Sequence, residues 1–311
     1  MTIIKNLFIF FVFPGFLFTA FAGLMAGWLD RKVTARLQWR LGPPWYQNFM
    51  DVAKLFYKET LMPQGASGFV FMLMPVFALV SATLVSAVIG MANMAPDSGF
   101  LGDFIVAVYF SIMPSVALMI GAAASANPLA GLGAAREMKL MLSYELPFVL
   151  TLAVPVIKSG YTVKLGEMLI YQAHNGAFIA SPSGFLAFAV GIMVIQAKLG
   201  LAPFDIAEAE TEITGGPYIE YSGKALAMWK LTKAALLVGL PMLLITTLFG
   251  GMGSGAGGAV KGVFKYILVL VLMTLIKNTN PRVRIDQALR FFWGPVTGAA
   301  FLSVILALAG M

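Results

Sequence analysis

Long stretches with almost no charge recur along the chain, and they restrict the fold more than any other feature. Eight can be marked: Leu7–Trp28, Phe69–Met91, Leu101–Ala124, Lys139–Ile157, Gly184–Leu201, Ala225–Phe249, Val263–Ile276 and Phe291–Ala309. A helix needs roughly 20 predominantly apolar residues to cross a bilayer. In lipid its backbone polar groups must be satisfied within the segment, which makes helix the spanning form for runs of this length. Only 11% of the 311 residues are charged, against about 25% in a soluble domain, so lipid must cover most of the surface. The expected fold is an all-α integral membrane protein of about eight transmembrane helices, with residues 1–311 as a single membrane domain. The first segment is too long for a signal peptide, and Trp28-Leu29-Asp30 is no small-residue cleavage site, so it is expected to stay as an anchor.

Cysteine is absent and His174 is the single histidine. The chain therefore cannot ligate an iron–sulfur cluster through thiolates or form disulfides, and a histidine-ligated haem or zinc is not expected. No cofactor is expected in this chain. The net charge of +7 does not point to nucleic acid, because the basic residues sit at helix ends. They alternate between loops. Arg31, Lys32, Arg36, Arg40, Lys54 and Lys58 follow the first segment, Arg136 and Lys139 precede the fourth, and Lys277, Arg282, Arg284 and Arg290 follow the seventh. The intervening loops hold few. By the positive-inside rule, loops 30–68, 125–139, 202–224 and 277–290 face the cytoplasm, and both termini lie outside a cytoplasmic membrane. The glycine-rich run Gly250–Gly258 reads as a flexible external connection.

Three places carry charge in unusual patterns. In the first loop, Asn48–Glu59 is amphipathic, with Phe49, Val52, Ala53 and Phe56 on one stripe and Asp51, Lys54 and Lys58 on another. Such a helix lies in the membrane interface or packs on a soluble partner. The fifth loop crowds Asp205, Glu208, Glu210, Glu212 and Glu220 into a short span. A helix over 205–212 places Asp205, Glu208 and Glu212 on one face, ended by Gly215-Gly216-Pro217. Packed against protein, such acids need Arg or Lys partners; the arginines of the first and seventh loops are candidates, and proton or cation handling is a natural use. In the fourth segment Glu145 lies about 13 Å inside Arg136 along a helix. An intramembrane carboxylate is costly and reads as functional, or else as a structural partner of a neighbouring helix. Lys198, Lys230 and Lys233 lie near helix ends, where snorkelling and a functional role compete. His174 reads as a surface residue.

Taken in order, these segments resemble the first membrane subunit of respiratory complex I and its relatives in membrane-bound nickel–iron hydrogenases. The matching residues are Asp30-Arg31-Lys32 with Arg36, Gln38, Arg40 and Gly42-Pro43, then Asp51, Lys54-Leu55 and Lys58-Glu59. Arg136, Ser143-Tyr144-Glu145, Pro203-Phe204-Asp205, Glu208, Glu210 and Glu220-Tyr221-Ser222-Gly223 follow. The resemblance implies a non-catalytic subunit that links a peripheral electron-transfer arm to proton or sodium translocation. It implies coupling roles for Glu145, Asp205, Glu208, Glu210, Glu212, Glu220, Lys198, Lys230 and Lys233. Docking of the arm falls to Arg31, Lys32, Arg36, Arg40, Asp51, Lys54, Lys58, Glu59 and Arg136. Implied partners are nickel–iron hydrogenase-like large and small subunits, an iron–sulfur ferredoxin-like subunit and antiporter-like membrane subunits. Those partners would hold the iron–sulfur clusters and the nickel–iron site.

Two departures favour a quinone-free, ferredoxin-dependent hydrogenase or sulfur-reducing complex over a quinone-chamber subunit. Quinone-type members usually read Gly-Pro-Asn and a glycine-rich stretch where this chain has Gly42-Pro43-Pro44-Trp45, and they tend to carry Glu where it has Lys233. A secondary transporter would predict inverted repeats, which the sequence does not contain. A purely structural anchor leaves Glu145 and the acidic run without a purpose. The topology is checked by cysteines introduced into this cysteine-free chain. Those at Thr2 and Ser254 should label from outside whole cells, one at Gln47 should not, and the reverse pattern would overturn the map.

Overall fold

A computed structural model describes the backbone of residues 2–253 and 255–311, and the side chains of 7–209, 212–253, 255 and 257–311. Among these residues the structure is helical and contains no strand. Seven helices are long and apolar enough to cross a membrane. The first span, Leu7–Leu37, is made of α1 (Thr2–Phe11) and α2 (Phe16–Leu37), broken at Pro14-Gly15. Then come the amphipathic α3 (Gln47–Tyr57), α4 (Gly68–Met94), α5 (Asp103–Ala124), α6 (Pro128–Lys158) and the short α7 (Leu165–Asn175). Helix α8 (Pro182–Lys198) has 17 residues and is the eighth apolar helix, below the length of the other seven. A single turn, α9 (Glu210–Ile213), precedes α10 (Gly223–Leu248) and α11 (Gly255–Thr279). The last span joins α12 (Ile285–Phe291) to α13 (Thr297–Leu308) through a wider π turn at Phe292–Val296. Pro295 lies inside that turn, where its missing N–H breaks the regular ladder, and the Phe292 carbonyl accepts both from Thr297 N and, at 2.6 Å, from Thr297 Oγ1.

Helix α10 is the most enclosed span. It packs on α2, α3, α4, α8 and α11, while α6 packs on α5, α8 and α13. Its contact with α2 depends on Gly23, where a Cβ would lie 2.2 Å from the Ala234 carbonyl oxygen. Large side chains such as Leu17, Phe21, Leu146, Phe185 and Ile305 are exposed on the outside of the bundle. In water such a surface would aggregate; in a bilayer it is the lipid-facing shell.

Several boundaries differ from the sequence reading: α2 runs on to Leu37, α11 to Thr279 and α12 begins at Ile285, so the loops expected at 30–68 and 277–290 are shorter, and two further differences are larger. The fourth span starts at Pro128 instead of Lys139, because Asn127 accepts from Leu129 N at 2.8 Å and Pro128 takes the first helical position, a favoured start. Residues 128–139 are therefore helix and not loop. The glycine run is not a free connection either. Its second half opens α11, and its first half is tied down: Asn93 Oδ1 accepts from Met252 N, and Lys265 Nζ donates to the carbonyls of Phe249 and Gly251. The loops that join α2 to α4, α5 to α6, α8 to α10 and α11 to α12 gather at one end of the bundle, called the charged face below.

Candidate functional site

The site is built where the α8–α10 loop folds over the charged face. Gly200, at φ +59°, turns the chain out of α8. Phe204 then inserts against Phe291 and Phe292, with ring centroids 5.7 and 4.9 Å away, and Val283 N donates to the Pro203 carbonyl at 3.1 Å. The expected helix over 205–212 does not form; only α9 is helical. Phe204, Ile206, Ala207, Ala209 and Ile213 are all buried, and no single helical face holds them, so the chain follows turns that bury each one. The acids are consequently not on one face. Asp205 pairs with Arg282 at 2.8 Å, Glu208 with Lys233, and Glu212 with Arg136. Of these partners only Arg282 comes from the expected loops. The first-loop Arg31 instead meets Asp51 at 3.4 Å on the surface, and Asp30 holds Lys277 at 2.8 Å and Thr274 at 3.0 Å.

The end of the loop is locked by aromatic rings. Tyr221 stacks on Phe71 with centroids 4.1 Å apart and donates to the Phe71 carbonyl, and Trp229 stands edge-on to both Tyr218 and Tyr221. Desolvation, reinforced by the negative charge of Glu208, holds the Tyr218 phenol well above its ordinary range. Tyr218 therefore stays neutral and offers its ring face to Lys233 Nζ at 4.8 Å, a cation–π contact.

Deeper in the bundle, Lys198 Nζ donates to Glu145 Oε1 at 2.9 Å, and its side chain is 2% exposed. The ammonium also lies 3.8 Å from the Phe148 ring centroid. Between this pair and Glu208–Lys233 is a cavity of about 30 Å³ lined by Ser115, Glu137, Lys198, Glu208, Tyr218, Trp229, Thr232 and Lys233 among others. That is room for about one or two waters. Trp229, whose buried indole N–H has no protein acceptor, is on its wall. Glu137 is 7% exposed and has no ion-pair partner within 4 Å among the described residues. Sequence reasoning missed it by taking Arg136 to Lys139 as the mouth of a helix. The Asn127-Pro128 start signal, which moves the helix start outward, was the available clue.

A larger cavity of about 640 Å³ opens beside it, between α2, α3, α10, α11 and the α8–α10 loop. Lys230 and Lys233, three residues apart on α10, both line it, with Asp30, Arg31, Asp51, Asp205, Glu208, Lys277 and Arg282. The two cavities share Leu199, Gly200, Glu208 and Lys233. The remaining expected residues are elsewhere. Glu220 accepts from Asn127 Nδ2. Lys32 packs beside Gly42. Arg36, Arg40, Lys54, Lys58 and Glu59 are exposed on the charged face, and the side chain of Glu210 lies outside the described residues.

Among known proteins, residues 8–308 match the family model described as NADH dehydrogenase. The chain is 32% identical over 295 residues to the H subunit of the NADH-quinone oxidoreductase of Brevibacillus brevis, covering 90% of this chain and 85% of that one. For the same-named subunit of Bacillus cytotoxicus the identity is 30% over 316 residues, covering 97% and 94%. Among solved structures, a chain of the membrane-bound sulfane sulfur reductase, an archaeal respiratory membrane complex, superposes with a TM-score of 0.83 at 28% identity, covering 94% and 96%.

The buried pair yields a stability prediction. Lys198→Met strands the Glu145 charge and should cost about 3–5 kcal/mol, read as a lowered thermal midpoint of the purified protein in detergent. Adding Glu145→Gln removes the stranded charge and should recover most of the loss. A double variant as unstable as the single one would show that the pair does not govern stability here.

Proposed function

The chain belongs to the NADH dehydrogenase family of membrane subunits and is part of a complex I-like redox complex; from this premise we propose that it couples electron transfer in a peripheral arm to ion translocation. The observation that carries the proposal is a cluster of three carboxylates and two lysines: Glu137, Glu208, Lys198 and Lys233 line a small cavity that adjoins a larger charged one, and Glu145 is paired to Lys198 beside it. Two ammonium groups neutralise two carboxylates. The third carboxylate, Glu137, is left to hold a proton, because an unpaired charge enclosed in protein is costly. Exchange of lysine partners among the three acids would pass that proton between the charged face and the interior, with the open cavity as the aqueous mouth.

In this reading the charged face is cytoplasmic, both termini lie outside, and the protein resides in the cell membrane. The paired acids Asp205 and Glu212, held by Arg282 and Arg136, fix the loop against the bundle, so that movement of an arm seated on it reaches Glu208 and Lys233. We favour a ferredoxin-dependent hydrogenase or sulfur-reducing complex, whose hydrogenase-like, ferredoxin-like and antiporter-like subunits would hold the metal centres. The open cavity supports this branch. Nine of its 20 lining residues are charged and none is aromatic, unlike the apolar and aromatic walls that usually receive an organic ligand. The similarity to a sulfane sulfur reductase points the same way. The second reading, a quinone-chamber subunit, rests on the names of the bacterial relatives and on the size of that cavity.

Glu145→Gln keeps size and hydrogen bonding but removes the titrating group. In reconstituted vesicles the assembled variant complex should lose ion transport by more than about tenfold, with electron transfer slowed in parallel where the two are tightly coupled. Transport at the wild-type rate would make Glu145 structural.

A further inference from the structure

The end of the bundle opposite the charged face holds a crevice that the coupling reading does not use. It has a volume of about 550 Å³, and its walls are the break in the first span, the end of α4, α7, Met242 of α10 and the glycine run that leads into α11. The break makes it. Phe13 and Phe18 are five positions apart, which an unbroken helix would place about 140° apart around its axis. Across Pro14-Gly15 their rings instead meet edge-on, with centroids 4.8 Å apart. Pro14 seats on Gly90 of α4, where a Cβ would lie 2.6 Å from the proline ring. The opposite wall is held as closely. Met252 packs on Gly262, where a Cβ would lie 2.4 Å from the methionine sulfur, and its backbone N–H donates to Asn93 Oδ1 at 2.9 Å.

The walls select the occupant by their chemistry. Among the described lining residues Asn93 has the one polar side chain. Both of its ends are engaged, since Nδ2 donates to the Ile89 carbonyl and to Thr246 Oγ1, each at 2.8 Å. A water needs two to four polar partners, and the side chains offer it none; a charged ligand fails for the same reason. The rim consists of Phe13, Phe18, Met94 and Ile170, all exposed and continuous with the apolar shell that faces lipid. Met242 lies six residues before the end of α10, about 9 Å deeper along the axis, so the floor is within the hydrocarbon layer. Packed protein leaves few voids larger than a water molecule, and lipid tails are the apolar molecules at hand. Met94, Met242 and Met252 give the wall the adaptability that a flexible chain requires. A helix of a neighbouring subunit does not fit, because at a diameter of 10–12 Å a single turn takes about 400–600 Å³.

We propose that this crevice is a lipid site, which takes one hydrocarbon chain of a phospholipid from the leaflet opposite the charged face and so completes the packing of the broken first span. The proposal rests on the membrane fold and not on the coupling reading. Its test reconstitutes the whole complex in phosphatidylcholine vesicles doped with a phosphatidylcholine that carries a photoactivatable diazirine on one chain. After illumination, adducts on Leu169, Met242 and Met252 should be denser per residue than those on Phe301 and Ile305, which are exposed to lipid on α13. The expected excess is at least about fivefold, a preference of about 1 kcal/mol. Ala173→Trp, at an exposed position on the crevice wall, should cut the crevice adducts to the α13 level while α13 labelling stays unchanged. Met242→Trp, which fills the floor, should do the same. Equal density in the wild type overturns the site, because the crevice would then belong to the ordinary lipid shell. Crevice labelling that survives both tryptophan variants overturns it as well. So do crevice residues that label only after the subunits are separated, which would assign the space to a partner segment.

Discussion

Everything at the charged face follows from the cost of enclosing charge where water cannot reach it. Taking an ion out of water costs several kcal/mol even after the protein relaxes, and removing one member of a buried pair leaves that cost uncompensated. Lys198, at 2% side-chain exposure, must have Glu145, and Phe148 adds its ring face. Lys233 is shared between Glu208 and the ring of Tyr218. These pairs hold α6, α8, α10 and the α8–α10 loop in a single arrangement. The same constraint leaves Glu137, which lines the cavity without a basic partner among the described residues, as the group for which a proton is the simplest neutraliser.

The bundle supplies the geometry that lets such a cluster exist. Helix α8 is short and ends at Lys198, so the chain leaves it inside the bundle rim, and the loop that follows must fold back over the ends of α6 and α10. Phe204 pins that loop to α12, and the stack of Tyr221 on Phe71 pins it to α4. Acidic residues that would repel one another on one helix face are thereby distributed to Arg282, Lys233 and Arg136. Each cation comes from a different part of the chain, so a displacement of the loop changes several pairings together. In the proposed coupling, this is how a movement at the charged face would reach the membrane interior.

The fold was largely legible because lipid imposes a simple rule: apolar runs of sufficient length span, and the eight runs are found as seven long helices and α8. Individual members of the charged cluster were also legible. Glu145 and Lys198 each stood out as intramembrane or near-membrane charges, but they are 53 positions apart, and no spacing rule joins them. The acidic loop misled because carboxylate periodicity suggested a helix, whereas the buried Ile206, Ala207, Ala209 and Ile213 decide the path. Glu137 was hidden by its neighbours: Arg136 points to the surface acid Glu212, and only the cap at Asn127 reveals that the helix already runs there.

The most direct test reads the proton itself. Reduced-minus-oxidised infrared difference spectra of the whole complex report carboxyl groups that gain or lose a proton when electrons arrive. A redox-linked carboxyl band should be present in the wild type and absent in Glu137→Gln, which keeps its fold because an amide can replace a neutral acid. Identical difference spectra from the two proteins would contradict the account, and would mean that the cluster around the cavity holds the helices together without taking part in coupling.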